Sequence, residues 1–333
     1  MSIEVREIDG GDRWNELLAE SDNPTALHHD AALSVLEEHS GATCHRLVGL
    51  KGEEPVGIFP VFTLRKGPAV VAVSPPPNLK LPYLGPLEID RHGVKRRRRD
   101  RQNHRFVDSC LEWLEAERGP SFTHIRTVPG YGDVRPFIWQ EYEATPRYTY
   151  VVDIDRPADE LLAAFSADAR QNVTHDYDVD YELTEDGHDG IDNILEQVRE
   201  RHAEQNEPFP LDVEVVHDLY TALPDGVVRP YVCHIEGEFS GGAVFLEYGD
   251  RSICWLGGAK TATELPVNEL VDWAYITDAM DRGVERYDHA GANNPRIARF
   301  KSKFAPELVP YYRLENGTRT MTALSKLYGL VRG

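Results

Sequence analysis

Lysine is scarce in this chain, with 8 residues against 28 arginines in a total of 333. Methionine (3) and cysteine (4) are rare as well. The cysteines, Cys44, Cys110, Cys233 and Cys254, lie far apart and form no CxxC pair. That spacing argues against a structural zinc site and favours small buried thiols in a reducing compartment. No apolar run approaches the ~18 residues of a membrane-spanning helix. The opening Met1–Arg6 has no basic stretch followed by an apolar segment, so a secretory signal is not read there and a cytoplasmic location is expected.

What is abundant is negative charge. Asp and Glu number 56 against 36 Lys and Arg, a formal net charge of −20. A carboxylate-rich, lysine-poor surface stays hydrated in concentrated salt, where screening also removes its self-repulsion. The composition therefore suggests a high-salt cytoplasm rather than a binding surface. At 41% hydrophobic and 28% charged residues the chain is otherwise ordinary for a soluble fold, and its length suggests two domains or two fused halves.

The periodicity gives an α/β order that occurs twice. In the first half, strand-like runs at Cys44–Gly49, Val56–Leu64 and Ala69–Val73 precede a proline-rich loop, Ser74-Pro75-Pro76-Pro77-Asn78. A helix over roughly 93–118 follows, with Phe106, Val107, Cys110, Leu111 and Leu114 at helical spacing, then a strand at Phe122–Val128. The second half reads as a helix near 158–172, a strand at Val179–Leu183, and helices near 189–206 and 212–223. Strands follow at Val227–Ile235, Gly241–Tyr248 and Ser252–Leu256. Gly257-Gly258 breaks the run, and a helix over 266–282 starts at Pro266, stops at Gly283, and turns Val267, Leu270, Val271, Ala274 and Met280 inward. The division predicted is 1–152 and 153–333.

These segments carry a resemblance. Pro55-Val56-Gly57-Ile58-Phe59-Pro60, Pro82-Tyr83-Leu84-Gly85-Pro86 and Ala169-Arg170-Gln171-Asn172 are three of its motifs. Leu265-Pro266-Val267-Asn268-Glu269-Leu270, Tyr287-Asp288-His289-Ala290-Gly291 and Phe300-Lys301 complete the set. In this order the chain resembles the Fem-type (FemAB-like) transferases of the Gcn5-related N-acyltransferase (GNAT) superfamily. The resemblance implies an α/β (α+β) fold of tandem GNAT-like domains, each a mixed sheet flanked by helices, the first on the acceptor side and the second on the donor side. It implies transfer of an aminoacyl or acyl group to an amine of a small or cell-envelope precursor. The donor would be aminoacyl-tRNA or acyl-CoA, and no permanently bound cofactor is implied.

Acyl transfer to an amine passes through a tetrahedral oxyanion and uses a phosphate-bearing donor, so cations, a proton acceptor and a phosphate cradle are required. Resemblance implies that Lys301 stabilises the developing charge, with Lys303 its nearest stand-in. Asp288 and His289 either orient the amine and take its proton, or brace the loop and pack. Gly257, Gly258 and Lys260 form a glycine-bearing turn before a helix N-terminus, suited to phosphate. This turn has no Arg followed by Gly-x-Gly, a departure from the acetyl-CoA enzymes. Lys80, Tyr83, Arg170 and Arg201 are the remaining substrate-binding candidates. The basic run from Lys95 through Arg101 to Arg105 either tracks tRNA phosphates or is a solvated helix face. His28-His29-Asp30 and Arg201-His202 have no further ligand at helical spacing, and no metal is expected. No Ser or Cys sits in a nucleophile elbow, which favours direct transfer over an acyl-enzyme. Two alternatives stand beside aminoacyl transfer: acyl-CoA-dependent acetylation of a small amine or amino sugar, and a non-catalytic binding module.

Overall fold

The computed structural model describes residues 2–89, 95–258 and 263–317. The chain divides into two compact units, Met1–Arg147 together with the chain from Pro310, and Tyr148–Val309. This differs from a break at 152/153, because the C-terminal strand is a member of the first unit.

The first unit contains β1 (Glu4–Glu7), α1 (Asp12–Ala19), α2 (Asp30–Ser40), β2 (Thr43–Lys51), β3 (Glu54–Lys66), β4 (Ala69–Ser74), β5 (Leu87–Glu88), α3 (Arg96–Arg118), β6 (Phe122–Arg126) and α4 (Arg135–Trp139). Strand β7 (Glu143–Asp153) leads to the second unit. There follow α5 (Ala158–Ala164), α6 (Ala167–Thr174), β8 (Tyr181–Glu185), α7 (His188–Glu204), α8 (Val213–Ala222), β9 (Val228–Ile235), β10 (Glu238–Tyr248), β11 (Arg251–Gly257), α9 (Val267–Asp281), β12 (Arg286–Asp288) and α10 (Pro295–Lys301). Strand β13 (Glu307–Gly317) ends the described chain.

The two units repeat one topology. In the first, strands run β1-β2-β3-β4-β6-β13, antiparallel except for the β4–β6 pair. In the second they run β8-β9-β10-β11-β12-β7, antiparallel except for β11–β12. A parallel pair needs a crossover, and α3 and α9 supply it. The first unit's sixth strand is β13, whose Arg313–Gly317 pair with Arg126–Phe122. The sequence reading missed this strand, because Pro310 interrupts it and its alternation is weak.

Packing against each crossover helix fixes these layers. Phe106 of α3 lies so close to β3 that a Cβ on Gly57 would stand 2.6 Å from its ring, so a side chain there would evict it. On α9 the face that packs is Val267, Val271, Tyr275 and Ala279 with Leu270 and Ile276, whereas Ala274 and Met280 are only half-buried. Tyr275 stacks flat on Phe245 of β10, with ring centroids 3.7 Å apart. The predicted helix at 158–172 is two helices: Phe165 leaves the helical region, and the Ser166 hydroxyl accepts from Ala169 N to cap α6. The segment read as a loop through Arg299–Phe304 is helical. Asn294 caps α10 by accepting from Arg296 N and Ile297 N, and Pro295 occupies its first turn, where a missing N–H costs nothing.

Candidate active site

Backbone pairing sets the site in the second unit. Strands β11 and β12 pair in parallel from Arg251/Arg286 to Ile253/Asp288 and then separate. Beyond that point β11 continues along β10, past a bulge between Val244 and Phe245, while the chain leaves β12 at His289. The fork opens into a cavity of about 470 Å³ lined by Cys254 through Gly258, by Asn268, Val271 and Asp272 of α9, by His289 and Ala290, and by Arg296, Phe300 and Lys301 of α10. Arg201 and His202 of α7 contribute too.

The turn at Gly257 requires glycine. Its φ is +117°, and a Cβ would stand 2.4 Å from Gly242 O. Gly258 N then donates to that same Gly242 oxygen (3.2 Å), which fixes the end of β11. Lys260 lies outside the described residues.

Lys301 sits at the cavity wall, but its ammonium is already engaged. Its Nζ donates to His289 O, to Ala290 O (3.1 Å) and to Gly291 O (3.2 Å). A lysine has three N–H donors, and all three are taken. Its effect on a developing anion is therefore its field, and its first task is to hold the 289–291 turn. Burial lowers its pKa, against the opposing pull of Cys254, Asp288 and Asp272. Asp288 does not line the cavity. It accepts from the Thr149 hydroxyl and from Ala290 N (2.8 Å), while Thr149 Oγ1 accepts from Gly291 N (2.7 Å). These bonds brace a turn in which Ala290 has φ +54° and Gly291 φ +96°.

His289 does reach the cavity, although its ring is buried between Tyr287 (centroids 4.6 Å apart) and Phe304 (5.1 Å). Its Nε2 has no hydrogen-bond partner among the described residues. Burial, reinforced by the Lys301 charge, holds the imidazole neutral, with its pKa well below the usual value. Arg201 also lines the cavity and pairs with Glu204 (2.7 Å). The fork thus brings together Lys301, His289, Arg201, Gly257 and Gly258.

Other sequence candidates lie elsewhere. Lys303 spans Asp168 (2.9 Å) and Glu269 (3.3 Å), with its ammonium 5.6 Å from the Phe300 ring centre, so it ties α6 to α9. The Arg170 guanidinium donates to Ala163 O (3.1 Å). Lys80 and Tyr83 belong to the first unit. Tyr83 is 1% exposed and edge-on to Tyr311, a core position in place of the expected substrate contact. It belongs to a segment that fills the first unit's own fork: Leu84 N donates to Arg126 O (3.2 Å), and Gly85 N donates to the Ser74 hydroxyl (2.9 Å), just where β4 and β6 part.

Three further residues that line the cavity were not singled out in the sequence reading. Asp272 lines the cavity at 6% exposure and accepts from the Tyr287 hydroxyl (2.6 Å). Burial raises its pKa from 3.8 to about 7, opposed by that hydrogen bond and by Lys301. A carboxylate on the inward face of α9 was the available signal. Arg296 lines the cavity without a salt bridge among the described residues; Asn294-Pro295 just before it marks the helix start that would have placed it. Cys254 reaches the cavity as well, but burial pushes its thiol up to about 12, so it stays protonated and is no nucleophile. Among the described residues no cluster of His, Cys, Asp and Glu could hold a metal ion, and no helix is long and apolar enough to cross a membrane.

A forked mixed sheet, a crossover helix starting at the fork and a cation-bearing cavity give the second unit a GNAT-like fold. Residues 163–302, all within the second unit, match the family model of the acetyltransferase (GNAT) domain. The whole fold is similar to that of FemX, a Fem-type transferase, at a TM-score of 0.72 and 14% identity, covering 93% of this chain and 96% of that one. It is also similar to the C-terminal domain of a putative lysylphosphatidylglycerol synthetase from Agrobacterium fabrum (TM-score 0.53, 13% identity, 96% of each chain). A tandem GNAT protein from the clavulanic acid biosynthesis pathway matches at TM-score 0.53 and 13% identity, over 95% of this chain and 99% of that one. No curated protein matches by sequence.

Proposed function

We propose that the fork cavity of the second unit is the site of a direct aminoacyl transfer from aminoacyl-tRNA to an amine of a small or cell-envelope precursor. The observation that carries this reading is the cavity itself, which Lys301, Arg201 and Arg296 line together with a buried, neutral His289. In the reaction the amine nitrogen attacks the acyl carbon, the bond to the donor oxygen breaks, and the amine proton ends on that oxygen. The Lys301 charge, set beneath the 289–291 turn, favours the oxyanion in a low-dielectric pocket. Arg296 and Arg201 offer fixed cations to donor phosphate. A protonated Cys254 favours direct transfer.

Two features support a tRNA donor. Arg98, Arg101 and Arg105 stand on one face of α3 and line a groove with Lys51. In a protein of net charge −20 such a stripe is an isolated cationic surface. The fork turn also lacks the Arg followed by Gly-x-Gly of acetyl-CoA enzymes. Acyl-CoA remains the second reading, favoured by the match to an acetyltransferase domain and by the open α9 N-terminus, which has no side-chain cap. The acidic, lysine-poor composition supports a high-salt cytoplasm as the working environment.

Thermal shift in high salt with coenzyme A, acetyl-CoA and aminoacyl-tRNA separates the readings, since a ligand that binds only the native state raises the melting point. Stabilisation by aminoacyl-tRNA alone, lost when Arg98, Arg101 and Arg105 become Gln, is the expected result. Stabilisation by micromolar coenzyme A transfers the assignment to acyl-CoA, and silence from every donor leaves a binding module.

A further inference from the structure

Acyl transfer to an amine needs a group that removes a proton from the attacking nitrogen, and the cavity contains five titratable candidates beside Lys301: Cys254, His289, His202, Glu207 and Asp272. Glu207 follows α7 and is exposed to solvent, with no neighbour that fixes its carboxylate among the described residues. The Cys254 thiol is too weakly acidic to be present as a base, since burial pushes it up to about 12. His289 is boxed between Tyr287 and Phe304, and its protonated form would be buried beside the Lys301 charge. His202 has its Nδ1 against Val198 O (2.9 Å) and its ring against Phe209 (4.8 Å), at the end of α7. Asp272 differs from all four. One carboxyl oxygen is fixed by the Tyr287 hydroxyl at 2.6 Å, the other has no hydrogen-bond partner among the described residues, and the residue lines the cavity.

We infer that Asp272 is the catalytic base, its free carboxyl oxygen taking the proton from the acceptor amine; this rests on the acyl-transfer reading above. As the nitrogen–carbon bond forms, one N–H proton passes to Asp272. As the bond from the acyl carbon to the donor oxygen breaks, the carboxylic acid returns that proton to the departing oxygen. The products are an amide and the free donor hydroxyl, and Asp272 is again a carboxylate. Tyr287 fixes the carboxyl plane throughout, as a buried partner on a rigid strand does for a site residue.

The charged and titratable groups around Asp272 act in opposite senses. Tyr287 and Asp288 belong to β12, Cys254 to β11, Lys301 to α10 and Glu269 to its own helix. Desolvation and Glu269 raise the carboxyl pKa, Tyr287 and Lys301 lower it, and the result is about 7. A base poised there is ionised in useful amount at neutral pH and still holds a proton well enough to take it, the balance general-base catalysis requires.

The test uses the full chain in high salt, tRNA charged with radiolabelled amino acids as donor, and glycinamide as amine acceptor, read by amide product. Wild type should show a rate that climbs with pH and levels off above about 7. Asp272→Asn should lose ~10²–10⁴-fold in kcat with little change in KM for the donor, and its pH profile should be flat. Asp272→Glu should restore part of the rate and an ascending limb. Donor-induced thermal stabilisation retained by Asp272→Asn shows that the variant is folded and loaded. An Asp272→Asn enzyme within tenfold of wild type, or one that keeps the ascending limb, overturns the assignment, as does a limb abolished only by His202→Gln. Wild type that transfers from no donor defeats the acyl-transfer reading, and this inference with it.

Discussion

Replacing Lys301 by methionine keeps the aliphatic stem and deletes the ammonium, so the change isolates what the charge contributes to the turn it holds. Three carbonyl oxygens, those of His289, Ala290 and Gly291, lose their donor together. A hydrogen bond involving a charged group contributes ~1.5–3 kcal/mol, so the three amount to about 4–9 kcal/mol before any offset. Against this stands the cost of desolvating the ammonium, several kcal/mol for a buried ion, which the variant no longer incurs. Water entering the cavity also satisfies part of the freed carbonyls. The net loss expected is about 3 kcal/mol. At ~2–4 °C per kcal/mol for a unit of this size, the melting transition should fall by about 6–12 °C. Calorimetry of wild type and Lys301→Met at two salt concentrations is the assay, and the drop should change little with salt because the bonds are buried. A loss below about 1 kcal/mol would refute the clamp. Lys301 would then be free to donate directly to an oxyanion.

Asp272 has a folded pKa raised above its unfolded value, so its stabilising contribution is complete below about 3.8 and is lost as pH climbs to about 7. Asp272→Asn should accordingly gain about 2–3 kcal/mol on wild type between pH 5 and pH 8 in denaturant titrations, and an unchanged difference would refute the shift. Gly257→Ala forces a Cβ to within 2.4 Å of Gly242 O at φ +117°, so a loss of about 2–4 kcal/mol and a weakened donor-induced thermal shift are expected. Lys303→Met removes a bridge whose lysine is 26% exposed, so the cost should be about 1 kcal/mol or less and should shrink with added salt, in contrast to Lys301→Met.

The order of elements in each half was legible because local signals agreed with the fold. Pro266 and Gly283 bracket α9, Gly257-Gly258 ends β11, and Gly119-Pro120 ends α3. Strands β7 and β13 were not legible, because Pro146 and Pro310 interrupt them and neither alternates cleanly. Within the site, Lys301, His289 and the two glycines could be named from the resemblance. Their roles could not, since the donors of Lys301 are spent on carbonyls that no spacing rule predicts. Asp272 was passed over for a different reason. A carboxylate on an amphipathic helix is read as solvent-facing, whereas here Asp272 lies buried against the Tyr287 hydroxyl and lines the cavity. Lys303 and Tyr83 show the converse, residues chosen for chemistry that the fold uses for an ion pair and for core packing.

The pairing of β6 with β13 sets a schedule for folding. Arg126 finds its partner in Arg313, so the sheet of the first unit stays one strand short until the ribosome has made nearly all of the described chain. At ~5–20 residues per second, that interval lasts roughly 10–40 s. Until then β6 presents an open edge, the kind of template that recruits foreign strands. The nascent chain is therefore most exposed to aggregation late in synthesis, and stalling just before Glu307 should leave it in the hands of chaperones.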